Sequence, residues 1–406
     1  MRSVVLGFAL GLGLLASETA HQAHPGHAQH QEVRVDGNYQ DYFRVDADFV
    51  LTLLLLLASG FMALMVVFNA LARKPCFRLA SLGSFGAFMI ILLFDMGCED
   101  RSGARMVEQP VQPQHDAKEL QTLYGNFKKD GVTVRADEQF LYIASNAFPS
   151  HPMMVGITAW QQQVPLPQPY SGENSWRIPL QPALSARPIS ARKALFRGAI
   201  ALAVNGVPIF NALNNRREDA FLAGELDEFG GHCGRGDDYH YHVSPTHLEK
   251  IVGKGKPIAF ALDGFPIYGF TDGEGKEPAD LDEFNGRFEK DGSYRYYSTR
   301  KYPYINGGMR GVVRVSNDQI EPQPRDSPAR PPGQPLRGAK VTGFSRDDAN
   351  NAYTLKYDLQ GKPHFVKYTI TAEGVCVFVF SDGEGRESTE TYRRQAGRNG
   401  PPPKKK

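Results

Sequence analysis

The sequence predicts a mainly β protein with an N-terminal transmembrane helical hairpin, and three observations support this prediction. Two apolar stretches near the N-terminus are long enough to cross a bilayer. Short β-type runs separated by Gly, Pro and Asn fill most of the remaining chain. A segment in the middle of the chain recurs 55 residues later. We therefore expect a β domain built on a degenerate internal repeat, followed by a small C-terminal β unit.

The overall composition restricts the class of protein. The chain has 406 residues with 41 Gly and 28 Pro, which suits a turn-rich β protein better than a helical one. Its net charge of +2 gives no concentrated basic face, so we expect no nucleic-acid partner. The four cysteines show no C-x-x-C spacing, which argues against a disulfide framework and against a cysteine zinc site.

The first 48 residues are typical of export followed by a polar segment. Residues 1–20 contain Arg2 and then an apolar run too short to span a bilayer, which indicates a signal peptide or an uncleaved anchor. Residues 21–48 begin with HQAHPGHAQH, which holds four of the eleven histidines. This His-rich segment is either a polar spacer or a metal-collecting tract.

Two transmembrane helices are predicted next, over residues 49–72 and 79–97. In the first stretch Asn69 is the only strongly polar side chain, and at 1.5 Å per residue this stretch crosses about 30 Å of hydrocarbon. The second stretch is a weaker match. Together they predict a helical hairpin in the membrane.

The loop between the two spans, ARKPCFR, sets the expected orientation. Its clustered positive charge belongs on the cytoplasmic side, which places the bulk of the chain on the extracytoplasmic side, periplasmic or extracellular. An alternative is a lipoprotein attachment site at Cys98, although Asp95 stands where that motif expects Leu. We expect a membrane-anchored protein in both cases.

The chain beyond the hairpin is expected to fold outside the membrane. Near its C-terminus AYTLKYDL, FVKYTITA and VCVFVFSD resemble three strands of a β meander, which needs further strands or a neighbour to be stable. The predicted divisions are a tether (98–120), the central β domain (121–316), a Pro-rich linker (317–338), a small β domain (339–394) and a disordered tail (395–406).

The internal repeat identifies a candidate site. LDEFGGHCGRGDDYHYH at 226–242 aligns without gaps to LDEFNGRFEKDGSYRYY at 281–297. The apolar and acidic scaffold positions persist, but three histidines are lost together: His232 is replaced by Arg287, His240 by Arg295 and His242 by Tyr297. Joint loss indicates that the three imidazoles form one functional unit.

The spacing of these histidines suits metal binding. YHYHV is β-prone, and in a strand His240 and His242 point to the same face. His232 returns as a third ligand if the Gly-rich turn between them closes a hairpin. Three imidazoles suit a divalent transition metal, zinc or copper more than iron. The alternative is that all three are structural histidines.

Other polar residues near the repeat have less specific roles. Asp227 persists in the copy that lacks histidines, so we expect a structural role. The alternatives are a contact to an imidazole N–H or a place among the metal ligands. Cys233 is either a soft ligand or a plain thiol. His247 is expected at the surface.

These motifs resemble the YHYH family, which is named for the tetrapeptide found here at 239–242. The likeness covers about residues 140–315 and includes SNAFPSHP, WRIPLQP, NGVPIF, ELDEFGGH, YHYHVSP and ALDGFPIYG. The resemblance implies a YHYH-type β domain in an exported, often membrane-tethered protein, and it implies no particular reaction. His151 falls in a family motif and is either a further ligand or a turn histidine. Phe229 and Phe284 stand where relatives often carry Cys, so a paired-thiol role is absent.

Two functions remain open at this point. The first is a metal-binding extracytoplasmic protein whose reaction, if any, is unassigned. The second is a non-catalytic cell-surface module that binds a glycan or a protein through the aromatic and basic run YRYYSTRKYPYI. The oligomeric state is left open.

Overall fold

The structure of the protein is a computed structural model that describes residues 110–394. Within this range no helix combines the length and apolar character needed to cross a bilayer. The predicted signal peptide, His-rich segment, both transmembrane helices, Cys98, the first part of the tether and the C-terminal tail lie outside the described residues.

The described chain is mainly β, as the sequence predicts. The two helices are α1 (Ala117–Gly125) and α2 (Glu249–Val252). The strands are β1 (Thr133–Ala136), β2 (Phe140–Ala144), β3 (Trp176–Pro179), β4 (Leu184–Ser190), β5 (Ala199–Ala203), β6 (Pro208–Phe210), β7 (Gly231–Cys233), β8 (Tyr239–Tyr241), β9 (Ala259–Ala261), β10 (Pro266–Tyr268), β11 (Gly286–Phe288), β12 (Tyr294–Tyr297), β13 (Gly308–Gly311), β14 (Arg314–Ser316), β15 (Gln319–Glu321), β16 (Ala339–Asp347), β17 (Ala352–Leu359), β18 (Lys362–Ile370), β19 (Val375–Ser381) and β20 (Glu387–Arg393).

Helix α1 shows how local sequence sets an element. Asp116 caps its N-terminus by accepting a hydrogen bond from the Lys118 N–H at 2.8 Å. Leu120, Leu123 and Tyr124 form its buried face and join the core. This face packs the helix against the β domain.

An eight-stranded sheet forms the centre of the fold, in the order β11-β12-β10-β9-β5-β6-β8-β7. Strands β5 and β9 meet antiparallel in the middle, and every residue of both is buried. Continuous apolar strands of this kind are covered on both faces, which explains why AIALA shows no alternation. The sheet therefore has two halves, β5–β8 and β9–β12.

The two halves have matching strand pairing. Strand β8 runs parallel to β6, and β12 runs parallel to β10. In the outer hairpins His232 lies opposite His240, and Arg287 lies opposite Arg295. Both hairpins need a glycine at the first position, because a Cβ on Gly231 would lie 2.5 Å from the Tyr239 hydroxyl oxygen and one on Gly286 would lie 2.0 Å from that of Tyr294.

Smaller sheets surround this centre. Strands β1-β2-β3 form an antiparallel sheet, and β4 with β13 and β14 with β15 form antiparallel pairs. The aliphatic side chains of β2 and β3, including Leu141, Ile143 and Ile178, are fully buried in the same core as the central sheet.

The C-terminal unit is a five-stranded antiparallel meander, β16-β17-β18-β19-β20. The three runs recognised in the sequence correspond to β17, β18 and β19, and a strand on each side extends them. Leu355, Val366 and Phe378 point into the common core, and the Tyr368 hydroxyl donates to the Pro165 carbonyl at 2.6 Å. The unit thus has both the extra strands and the neighbour that a short meander requires.

The Pro-rich segment between the two units lies against the central sheet. The Gln323 amide makes two hydrogen bonds of 2.8 Å to the backbone of Ala199, one as acceptor and one as donor. The Ser327 N–H donates to Gln168 Oε1 at 3.0 Å. Arg330 pairs with the buried carboxylate of Asp237 at 2.9 Å. These contacts hold the segment in place, so it brings its side chains to the edge of the candidate site.

Candidate metal centre

The hairpin β7–β8 brings the three histidines of the repeat together. His232 and His240 are cross-strand partners, and His242 follows two residues later on the same face as His240. His242 Nε2 lies 3.2 Å from His240 Nε2 and 3.0 Å from His232 Nε2. The potential ligand atoms of all three lie within 4.8 Å of one another. The convergence that the spacing predicted is therefore present.

Burial controls the charge of these rings. His240 and His242 are 3% and 4% exposed, and His232 is half-buried. Burial and then the neighbouring imidazoles hold the pKa of His232 well below its ordinary value. Burial and then His240 lower the pKa of His242 to about 3. Both rings are neutral near pH 7, so each keeps one nitrogen lone pair available to a cation.

Hydrogen bonds on the outer side fix the orientation of the rings. His242 Nδ1 lies 2.5 Å from the Asn211 carbonyl oxygen, and His240 Nδ1 lies 3.0 Å from the Asp238 carbonyl oxygen. Because a carbonyl oxygen only accepts, each Nδ1 carries the proton and each Nε2 is left as a lone pair. The inner nitrogens of His240 and His242 therefore face each other as acceptors.

This geometry fits a metal ion. Two nitrogens bound at ~2.0–2.1 Å to one tetrahedral zinc are about 3.3 Å apart. The two distances from His242 Nε2, 3.2 and 3.0 Å, are close to this value, and the three ligand atoms all lie within 4.8 Å of one another. Facing lone pairs without a donor between them repel, and a cation at their centre removes that repulsion. Carbonyl partners on Nδ1 are the usual supports of metal-binding histidines. The Phe210 ring stacks on His240 with a centroid separation of 3.9 Å and holds it from the side.

Asp227 and His151 lie outside this group of ligands. Strand alternation explains their position, because Tyr239 and Tyr241 point to the opposite face from the histidines. Asp227 accepts from the Tyr239 hydroxyl at 2.8 Å and from the Met154 N–H at 2.8 Å. These contacts match the structural role expected for Asp227 and not a contact with the triad.

His151 belongs to a separate cluster behind strand β8. Its Nδ1 donates to the Pro152 carbonyl at 2.8 Å, so Nε2 accepts from the Tyr241 hydroxyl, also at 2.8 Å. The Phe229 ring stacks on it at 4.0 Å. Burial lowers the pKa of His151 to about 4. Of the two roles expected for His151, this environment matches the structural one.

His247 does not lie at the surface as predicted. Its ring packs 5.1 Å from that of His151, and it is only partly exposed because Phe229 and Tyr241 also pack around it. Burial lowers the pKa of His247 to about 3. Cys233 is a buried free thiol whose backbone N–H contacts the Met154 sulfur at 3.2 Å.

A cleft of about 590 Å³ opens in front of the three histidines. Its walls include Phe210 and Asp238, and Asp326 comes from the Pro-rich segment. None of these three residues is predicted from the sequence to line the site. Phe210 has a sequence signal, since it ends the repeated motif NGVPIF. Asp326 has none, because a Pro-rich stretch gives no indication of which surface it contacts.

The equivalent positions in the other half of the sheet form an ion-pair network. Arg287 binds Glu289 and Asp280 at 2.9 Å each and Asp272 at 3.3 Å. The Tyr297 ring is buried, and its hydroxyl donates to Glu289 at 2.6 Å. This half therefore satisfies its own charges, and Tyr297 is not exposed for contact with a glycan or a protein.

Comparison with known proteins supports one assignment. Residues 175–278 match the family described as YHYH protein, so the chain contains a YHYH domain, as its motifs indicated. No curated protein and no solved structure matches the chain.

Proposed function

We propose that this YHYH domain binds one divalent transition metal ion through His232, His240 and His242. The observation that carries the proposal is the convergence of three inner imidazole nitrogens, two of them fixed as lone pairs by carbonyl oxygens. Zinc or copper suits a set of three imidazoles better than iron, which in non-haem enzymes often takes two histidines and a carboxylate.

The chain supplies the support for this ion. The carbonyl oxygens of Asn211 and Asp238 hold the rings of His242 and His240, and Phe210 packs against the His240 ring. Three protein ligands leave a coordination position for water or another ligand on the side of the cleft. A bound ion would supply Lewis acidity there. We assign no reaction.

Metal content of the purified full chain tests this proposal. We expect about one zinc or copper ion per chain in the wild type and its loss in His240→Ala/His242→Ala, measured by mass spectrometry after removal of loosely bound metal. The matched control is His115→Ala/His364→Ala, which removes two histidines outside the triad. Equal metal content in all three proteins would refute the proposal.

We also propose that the two halves of the eight-stranded sheet are degenerate copies of one unit. The gapless alignment of the two segments supports this origin, and so does the matching register of the outer hairpins. The triple substitution Arg287→His/Arg295→His/Tyr297→His should then raise the metal content from about one to about two ions per chain. A folded variant whose metal content stays at the wild-type value would contradict a shared geometry.

The membrane anchor remains a proposal that rests on the apolar segments 49–72 and 79–97. We propose that they tether the domain on the extracytoplasmic side. Deleting 49–97 should move the protein from the membrane fraction to the soluble fraction. Retention in the membrane fraction after carbonate washing would exclude the hairpin as the anchor.

A further inference from the structure

Three arginines line the cleft in front of the histidines, and each comes from a different segment. Arg197 lies between β4 and β5, Arg235 lies in the turn of the β7–β8 hairpin, and Arg325 lies in the Pro-rich segment. All three are exposed. Within residues 110–394 none of these guanidinium groups forms an ion pair with a carboxylate.

A fourth arginine in the same cleft differs from these three because it is paired with carboxylates. Arg216 binds Glu218 at 2.7 Å and also binds Glu225, so its charge is already neutralised. The charge of the other three arginines is not neutralised in this way. Three carboxylates without an arginine partner, Asp238, Glu321 and Asp326, also line the cleft.

We infer that the cleft binds a small organic anion whose carboxylate or phosphate group is held by Arg197, Arg235 and Arg325. The inference rests on the proposed metal site, because a divalent ion together with three guanidinium groups outweighs the three carboxylates, whereas the guanidinium groups alone only balance them. The planar donor fork of arginine matches both carboxylate and phosphate oxygens. A volume of about 590 Å³ lies in the range of small-molecule sites. The coordination position left open by the histidines is then within the same space as the bound anion.

Calorimetric titration of the metal-loaded full chain with inorganic phosphate and, separately, with acetate tests this inference. Ionic strength is held constant, because salt screens exposed charges. We expect Arg197→Gln/Arg235→Gln/Arg325→Gln to raise the dissociation constant of the preferred anion at least about tenfold. The control Arg187→Gln/Arg337→Gln/Arg393→Gln removes the same charge outside the cleft and should change the dissociation constant of the anion by less than about twofold.

The outcomes separate the two proposals. Tighter binding of phosphate identifies a phosphoryl ligand, and tighter binding of acetate identifies a carboxylate ligand. Equal effects of the two triple substitutions, or no binding of either anion to the wild type, would overturn the anion site even if one metal ion binds per chain. The titrations are repeated after a chelator has removed any bound metal. If the protein binds no metal but still binds the anion through the arginines, the anion site is supported and the metal site is refuted.

Discussion

The two halves of the eight-stranded sheet solve the same packing problem with different chemistry. In β5–β8 three imidazoles face one another beside a cleft. In β9–β12 the corresponding hairpin holds Arg287 among three carboxylates. The first arrangement leaves unused lone pairs, and we propose that these lone pairs bind a cation. In the second arrangement the charge of Arg287 is paired within the chain. The same strand framework therefore accommodates either set of side chains and does not by itself create a binding site.

The hairpin turns of the two halves also differ, and this gives the prediction with the largest expected effect. In the first half Asp237 is buried and pairs with Arg330, whose guanidinium also stacks on Phe378 of the C-terminal unit. The aligned residue in the second half is Gly292, where an added Cβ would have no neighbour within 4 Å. The first turn is therefore fastened by a buried ion pair, whereas in the second turn the Gly292 carbonyl accepts a hydrogen bond of 3.3 Å from the Gln112 amide.

Asp237→Ala should lower the free energy of unfolding by about 3–5 kcal/mol, because it leaves the Arg330 charge buried without a partner. The measurement is urea denaturation of the metal-free full chain, so that metal binding does not contribute. Lys276→Ala, which breaks an exposed pair with Glu274, should cost at most about 1 kcal/mol. Similar losses in the two variants would show that the turn is not fastened in this way.

A second comparison concerns Asn205 and Asp263, which begin the matching motifs NGVPIF (205–210) and DGFPIY (263–268) in the two halves. The Asn205 amide donates to the Tyr241 hydroxyl at 3.0 Å, whereas Asp263 accepts from the Tyr296 hydroxyl at 2.7 Å. Burial raises the pKa of Asp263 to about 6. The folded protein therefore holds this proton more tightly than the unfolded chain. The associated stability is complete below about pH 4 and is lost as the pH rises through 6.

We predict that Asp263→Asn, which gives the second half the residue of the first, removes this pH dependence. Between pH 4 and 7 the wild type should lose roughly 3 kcal/mol more stability than the variant. Denaturation midpoints of both proteins across that pH range provide the measurement. Parallel pH profiles would mean that Asp263 does not titrate in this window.

The smallest predicted effect concerns the aromatic residues that lie beside the two outer hairpins. Phe210 stacks on His240, and the aligned Tyr268 lies beside Arg295 with its ring centroid 5.3 Å from the guanidinium carbon. Phe210→Ala should weaken zinc or copper binding about tenfold, because it frees the His240 ring. Tyr268→Ala is the matched control and should leave the metal affinity unchanged. Competition with a chromogenic chelator measures both constants, and equal affinities would exclude a positioning role for Phe210.

Sequence reasoning found the histidines of the site but placed one neighbour, His247, wrongly at the surface. The joint replacement of His232, His240 and His242 in the second segment was visible without coordinates, and strand alternation correctly placed two of them on one face. Asp227 and His151 were candidate ligands because they lie near the histidines or in the same family motif. Strand alternation places their partners Tyr239 and Tyr241 on the face opposite the histidines, which separates Asp227 and His151 from the triad.

The sequence by itself determined the mainly β character, the strand through His240 and the grouping of three imidazoles, because side-chain alternation is a property of the local backbone. Tertiary structure decided what surrounds them. The Asn211 carbonyl is 31 residues from His242, and Arg330 is 93 residues from Asp237. Such pairs meet because β6 lies beside β8 and the Pro-rich segment crosses the same sheet. Local periodicity carries no information about the order of strands, so only the folded chain reveals these contacts.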